Sequence, residues 1–154
     1  MLFRSEEEIA NLKDRLLRAN AETENVRRRL EREKADAAQY GATSFARDML
    51  SVADNLRRAV DAIPAAVRED ATVATIITGV EMTEKELGSI FQRHGITRIE
   101  AIGQPLDPNR HQAMMEVEAA EGQEPGTIVQ ELQAGYVIKD RLLRPALVGV
   151  AKKG

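Results

Sequence analysis

The 154-residue chain contains no cysteine and no tryptophan, and only two tyrosines and three phenylalanines. Without thiols there is no disulfide framework, no thiolate zinc site and no cysteine nucleophile. Five aromatic rings cannot build an aromatic-rich core. No uninterrupted apolar run approaches the roughly 20 residues of a membrane-spanning helix. Residues 1–8 carry one arginine followed by acids, so no signal peptide is legible there. The missing thiols fit a cytoplasmic location, which is the expectation. Lys+Arg number 22 against 25 Asp+Glu, a net charge of −3, and this is no basic excess of the kind that nucleic acid selects. The run Arg27-Arg28-Arg29 lies among Glu22, Glu24, Glu31 and Glu33 and reads as a solvated helix face. With 43% apolar and 31% charged residues, the chain is no disordered polymer, and its length suits one or two domains.

Helix formers fill the first part of the chain. Residues 5–63 hold no proline and one glycine, Gly41, and are rich in Ala, Leu, Glu, Arg and Lys. Ser5 ahead of Glu6, Glu7 and Glu8 suits an N-cap followed by acids in the first turn, and Pro64 ends the segment. Unbroken, such a helix would reach on the order of 85 Å, far more than a chain this small can cover. It must therefore be exposed or paired with a second copy. Ile9, Leu12, Leu16, Ala19, Thr23, Val26, Leu30, Glu33, Ala37 and Tyr40 alternate steps of three and four, the seam of a coiled coil. Thr23, Glu33 and the small alanines make that seam weak. From Phe45 the stripe widens through Met49, Val52, Leu56, Ala59, Val60 and Ile63, as in a bundle helix. Gly41, costing ~1 kcal/mol relative to alanine inside a helix, is a candidate bend between the two regimes. A second helix is expected over residues 72–94, with Ile76, Val80, Thr83, Leu87, Ile90, Phe91 and His94 on one face and Gly95 as its C′ residue. Two helices cannot enclose a core alone, whereas two chains could form a four-helix bundle.

Beyond Gly95 the pattern changes. Residues 96–102, 113–119, 127–133, 135–139 and 146–151 are short alternating or β-branched runs. Gly103-Gln104-Pro105, Asp107-Pro108-Asn109, Glu124-Pro125-Gly126 and Arg144-Pro145 punctuate them. The expected fold class is α+β: a helical region over residues 1–95, then a small all-β domain over residues 96–154.

Chemistry-bearing motifs are scarce. No serine sits in a Gly-x-Ser-x-Gly elbow, and neither Gly-x-Gly-x-x-Gly nor a Walker pattern occurs. His94 and His111 are far apart in sequence and belong to no His-Glu-x-x-His arrangement. His94 reads as a residue that caps or packs at a helix end. His111, just after the Asp107-Pro108-Asn109 turn, reads as structural, with a metal hydrolase using Glu116 or Glu118 as a rival. The expectation is a binding protein with no catalytic residue, no metal and no cofactor, acting on no small-molecule substrate.

Five segments together resemble the GrpE family, the nucleotide exchange factors of DnaK-type heat-shock chaperones. They are Ala21-Glu22-Thr23-Glu24-Asn25-Val26-Arg27-Arg28-Arg29, then Met49-Leu50-Ser51-Val52-Ala53-Asp54-Asn55-Leu56-Arg57-Arg58-Ala59, then Gly79-Val80-Glu81-Met82-Thr83-Glu84-Lys85. The fourth is Leu106-Asp107-Pro108-Asn109-Arg110-His111-Gln112-Ala113, and the fifth runs from Gly135-Tyr136 through Asp140-Arg141-Leu142-Leu143-Arg144-Pro145-Ala146 to Val148 and Val150. Ser51 stands where the family often has proline, and the family's long acidic N-terminal extension is nearly absent. The resemblance implies a parallel homodimer with a long paired helix, a dimeric four-helix bundle and a small β-domain from each chain. Its implied partner is the ATPase domain of a DnaK-type chaperone, with neither nucleic acid nor membrane involved. It implies helix contacts at Arg27, Asp61 and Gly79, and β-domain contacts at Leu106, Leu132, Arg141 and Val150. Plain β-core is the competing role for Leu106, Leu132 and Val150. Asp107, Pro108, His111, Gly135, Tyr136 and Asp140 would be the scaffold of turns and core, with Gly135 suited to a positive φ. A coiled-coil scaffold without exchange activity is the alternative function.

Overall fold

A computed structural model describes residues 1–153. The chain falls into two compact units, the first covering Met1–Gly41 and the second beginning at Ala42.

The first unit is one helix, α1, Leu2–Tyr40, which at about 1.5 Å per residue runs close to 60 Å. It begins three residues before the expected cap. Leu2, Phe3 and Arg4 are helix-compatible, and Ser5 lies within the first turn, its Oγ donating to the Met1 carbonyl (3.3 Å). None of its residues is buried among the described residues. Ile9, Leu12, Leu16, Leu17, Val26 and Leu30 all stand exposed. Charges along it pair locally, Asp14 with Arg18 (3.2 Å) and Glu24 with Arg27 (2.9 Å) and Arg28 (3.4 Å), each pair adding a few tenths of a kcal/mol to the helix.

The long helical segment breaks at Gly41, the candidate bend. Gly41 and Ala42 are in a turn, and helix α2, Thr43–Asp61, begins the second unit. Pro64 opens a short 3₁₀ turn, Ala65–Glu69. Asp70 then caps helix α3, Ala71–Arg93, accepting from the Thr72 N–H (2.9 Å). The two helices form a hairpin cross-linked by Arg57–Glu84 (3.0 Å), and Arg68 of the 3₁₀ turn pairs with Glu81 (2.7 Å). Both pairs are solvated and contribute little. Ala46, Leu50, Ile77 and Phe91 are the buried residues of the hairpin. Phe45, Val52 and Ile76, members of the expected stripes, are exposed in the single chain, so the hairpin carries apolar surface beyond what it buries.

Gly95, at φ +74°, ends α3 and reverses the chain into the β-domain. Six strands follow: β1 Ile96–Arg98, β2 His111–Glu118, β3 Ile128–Gln133, β4 Tyr136–Ile138, β5 Arg141–Arg144 and β6 Ala146–Lys152. They make two three-stranded sheets, ordered β1-β4-β5 and β2-β6-β3. The β2–β6 pairing is parallel and the others are antiparallel. Ala101, Ile128, Ala146, Val148 and Val150 form the core cluster, with Leu106 packed against it. Strand β5 has no counterpart in the sequence reading, because Arg-Leu-Leu-Arg does not alternate.

The conformation expected of Gly135 is corrected. Its φ is not positive. The left-handed residue is Lys139 (φ 53°) in the β4–β5 turn. Gly135 is required for closeness instead, since a Cβ there would lie 2.4 Å from the Ala146 nitrogen and 2.9 Å from its Cα. Backbone atoms cannot yield as a flexible side chain would. Gly135→Ala is therefore expected to lower the unfolding free energy by about 1–3 kcal/mol. Urea denaturation measures it, and an unchanged midpoint would mean that the two segments can separate without cost.

Candidate binding cleft

The β-domain meets the helical hairpin through a few polar anchors. Arg144 at the end of β5 extends its guanidinium to Asp54 on α2 as a two-pronged fork, Nη1 to Oδ2 at 2.7 Å and Nη2 to Oδ1 at 2.9 Å. The same guanidinium donates to the Ala134 carbonyl from Nε (3.0 Å) and Nη2 (2.6 Å). The side chains are 18% and 25% exposed, so the pair is shielded without being sealed. Arg47 on α2 donates to the Leu143 carbonyl (3.1 Å). The Tyr136 ring stands edge-on to Phe91 of α3 (centroids 6.0 Å apart) and beneath the Arg144 guanidinium (5.6 Å). Burial raises the Tyr136 phenol above its ordinary pKa.

Beside these anchors lies a cleft of about 930 Å³ between α2, α3 and the strands. Asp54, Asp61, Glu84, Leu132 and Tyr136 are among the residues that line it. Its charge is mixed. Across one wall Arg98 pairs with Glu131. Burial pulls the Arg98 pKa down, but the hydrogen bond and charge of Glu131 outweigh it and leave the guanidinium above its ordinary value.

The expected contact residues scatter across several regions. Asp61 and Leu132 come together on the cleft walls, and Leu132 presents an exposed apolar side chain, 45% accessible. Arg27 lies in the first unit, exposed and paired with Glu24. Gly79 sits within α3, where an added Cβ would meet nothing within 4 Å among the described residues. That surface is open to a neighbour from outside the chain. Arg141 is exposed at the start of β5. Val150 belongs to the core cluster and Leu106 packs on it.

The expected scaffold residues hold the chain locally. The Asp107 carbonyl accepts from the Arg110 (3.0 Å) and His111 (2.8 Å) amides, and its Oδ1 accepts from the Asn109 N–H (2.9 Å). Pro108 occupies the turn between them, and Asp140 follows Lys139 in the β4–β5 turn. His111 is buried, its Nδ1 accepting from the Asp107 N–H (2.9 Å), which places the imidazole proton on Nε2. Nε2 has no hydrogen-bond partner among the described residues. Among those residues no group of three or more histidine or carboxylate side chains is arranged to hold a metal ion.

Sequence reasoning quoted Asp54 and Arg144 within motifs but gave neither a task. Each is an ordinary charged residue locally, and only the fold brings them together.

A helical hairpin bearing a small two-sheet β-domain, preceded by a long helix with exposed apolar residues, defines an α+β protein. The GrpE family profile matches residues 2–152, and the chain belongs to the GrpE family. It is 66% identical to Protein GrpE of Rhizorhabdus wittichii over 147 residues, 96% of this chain and 81% of that protein. It is 61% identical to Protein GrpE of Erythrobacter litoralis over 141 residues (92% and 71%) and 60% identical to that of Zymomonas mobilis over 141 residues (92% and 73%). No described helix is long and apolar enough to cross a membrane.

His111→Ala removes the acceptor of the Asp107 N–H and is expected to cost about 1–3 kcal/mol. His111→Asn, whose Oδ1 falls near the Nδ1 position, should cost less. Thermal denaturation ranks the two, and equal losses would mean that imidazole packing, not the hydrogen bond, holds the turn.

Proposed function

We propose that this protein is a cytoplasmic co-chaperone that binds the ATPase domain of a DnaK-type chaperone as a homodimer and speeds release of ADP. The observation that carries this reading is the family match across residues 2–152. Family membership supports a nucleotide-exchange role beside such a chaperone. The structure adds physical support: exposed apolar residues on α1, and Phe45, Val52 and Ile76 on the hairpin, which a second copy would cover.

The mechanism makes and breaks no covalent bond. An ATPase domain closed around ADP and one with its lobes apart are two states of one molecule. A ligand that prefers the open state shifts the population toward it and lowers ADP affinity by its differential affinity. A preference of ~4 kcal/mol corresponds to about a thousandfold change in nucleotide affinity. By reciprocity, ADP or ATP weakens the grip of this protein on the chaperone by the same factor. Leu132 and Asp61 at the cleft, Leu106, Arg141 and Val150 in the β-domain, and Arg27 and Gly79 on the helices are the proposed contacts. Leu106 and Val150 would act by setting the shape of the contacting surface, since they belong to or pack on the core.

Stopped-flow release of a fluorescent ADP analogue from the cognate chaperone tests this. Acceleration at micromolar dimer is expected, and its absence would favour a coiled-coil scaffold without exchange activity. Arg27→Ala and Gly79→Asp are each expected to weaken chaperone binding, and unchanged affinity in both would remove the helices from the contact surface.

The interrupted seam of α1, with Thr23 and Glu33 among its positions, motivates a thermosensing role. Circular dichroism on heating should show reversible helix loss at a lower temperature than strand loss. A single cooperative transition for both would count against it.

A further inference from the structure

We propose that Asp54 and Arg144 form a strut that fixes the β-domain at one angle on the helical hairpin, and that exchange activity, taken as proposed above, requires that angle. Helix–strand contacts concentrate at α2 with β5 and at α3 with β1. The chain itself crosses at the second of these, where Gly95 ends α3 and its carbonyl accepts from the Lys139 N–H (2.7 Å). The cleft of about 930 Å³ lies between the same helices and strands. A β-domain held beside an open wedge can rotate into it unless something stiff resists.

The Arg144 fork is that element. Its two prongs on Asp54 define a plane, and its Nε and Nη2 are held on the Ala134 carbonyl at the same time. The Ala134 carbonyl and the Tyr136 ring hold the guanidinium to the β-domain while Asp54 moves with α2, so rotation about the contact line would break the coplanarity of fork and carboxylate. The second and fifth sequence segments, otherwise without a shared purpose, meet in this one ion pair.

The consequence for exchange is specific. A partner lobe pressing on a freely rotating β-domain would push it into the wedge, and binding energy would not reach the lobe. Contact residues would be intact, so the concentration giving half-maximal acceleration would change little while the plateau rate falls. Asp54 and Arg144 are thus positioning residues.

Asp54→Asn, Arg144→Gln and the double variant test this in the whole 154-residue chain, assembled as proposed above. Each single change is expected to lower the plateau rate of ADP-analogue release about tenfold, with half-saturation within about threefold of wild type. The double variant should be no worse than either single one, because the two residues act through one bond. Spin labels on α2 and β3 should report a broadened distance distribution in all three. An unchanged plateau, losses that multiply in the double variant, or a weakened half-saturation with the plateau intact would each overturn the proposal. If Arg144→Gln fails to fold, Asp54→Asn decides alone, through its plateau rate and its spin-label distances. Wild type that accelerates nothing would refute the exchange reading, while the spin-label result would still stand for or against the strut.

Discussion

The second unit carries its strongest electrostatic anchor where two kinds of secondary structure meet, at Arg144 and Asp54. Arg144 ends β5 one residue before Pro145, and the chain then enters β6, the central strand of the other sheet. Tying that residue to Asp54, and Leu143 to Arg47, fixes both sheets relative to α2 through one short stretch of backbone. Hydrogen bonds to charged partners in such half-shielded surroundings contribute about 1.5–3 kcal/mol each at most. That is a large share of what a small domain has to spare.

The helices answer a different constraint. A helix as long as α1, with no buried residue among those described, gains stability mainly from propensity and local ion pairs, which are small. Phe45, Val52 and Ile76 extend the same deficit into the hairpin. The β-domain buries a core cluster drawn from several strands and loops of one chain, while Ile102, Met114 and Leu132 stay exposed on its surface.

Much of this was legible in the residues. Prolines and glycines placed the helix-to-strand change at Gly95 and the turn at Asp107-Pro108-Asn109, since both follow from local backbone chemistry. The interruption at Gly41 coincided with the one glycine of residues 5–63. What escaped reading was tertiary. Arg-Leu-Leu-Arg carries no alternation, so β5 was silent. Gly135 was expected to turn the chain, yet what requires it is Ala146, a residue eleven positions away that only the fold brings near. The pairing of Asp54 with Arg144 depends on two elements ninety residues apart in sequence. Among the expected contact residues, Asp61 and Leu132 share a cleft that no local pattern could announce.

The parallel pairing of β2 with β6 has a bearing on how the chain acquires its form. His111 sits opposite Ala146, and Glu118 opposite Lys152, so β2 must wait for a segment synthesised much later, while β3, β4 and β5 emerge in between. Loop-closure entropy makes such a distant match slow compared with coiling a helix. During translation the helices would thus already be coiled while the sheets were still waiting for their last strand.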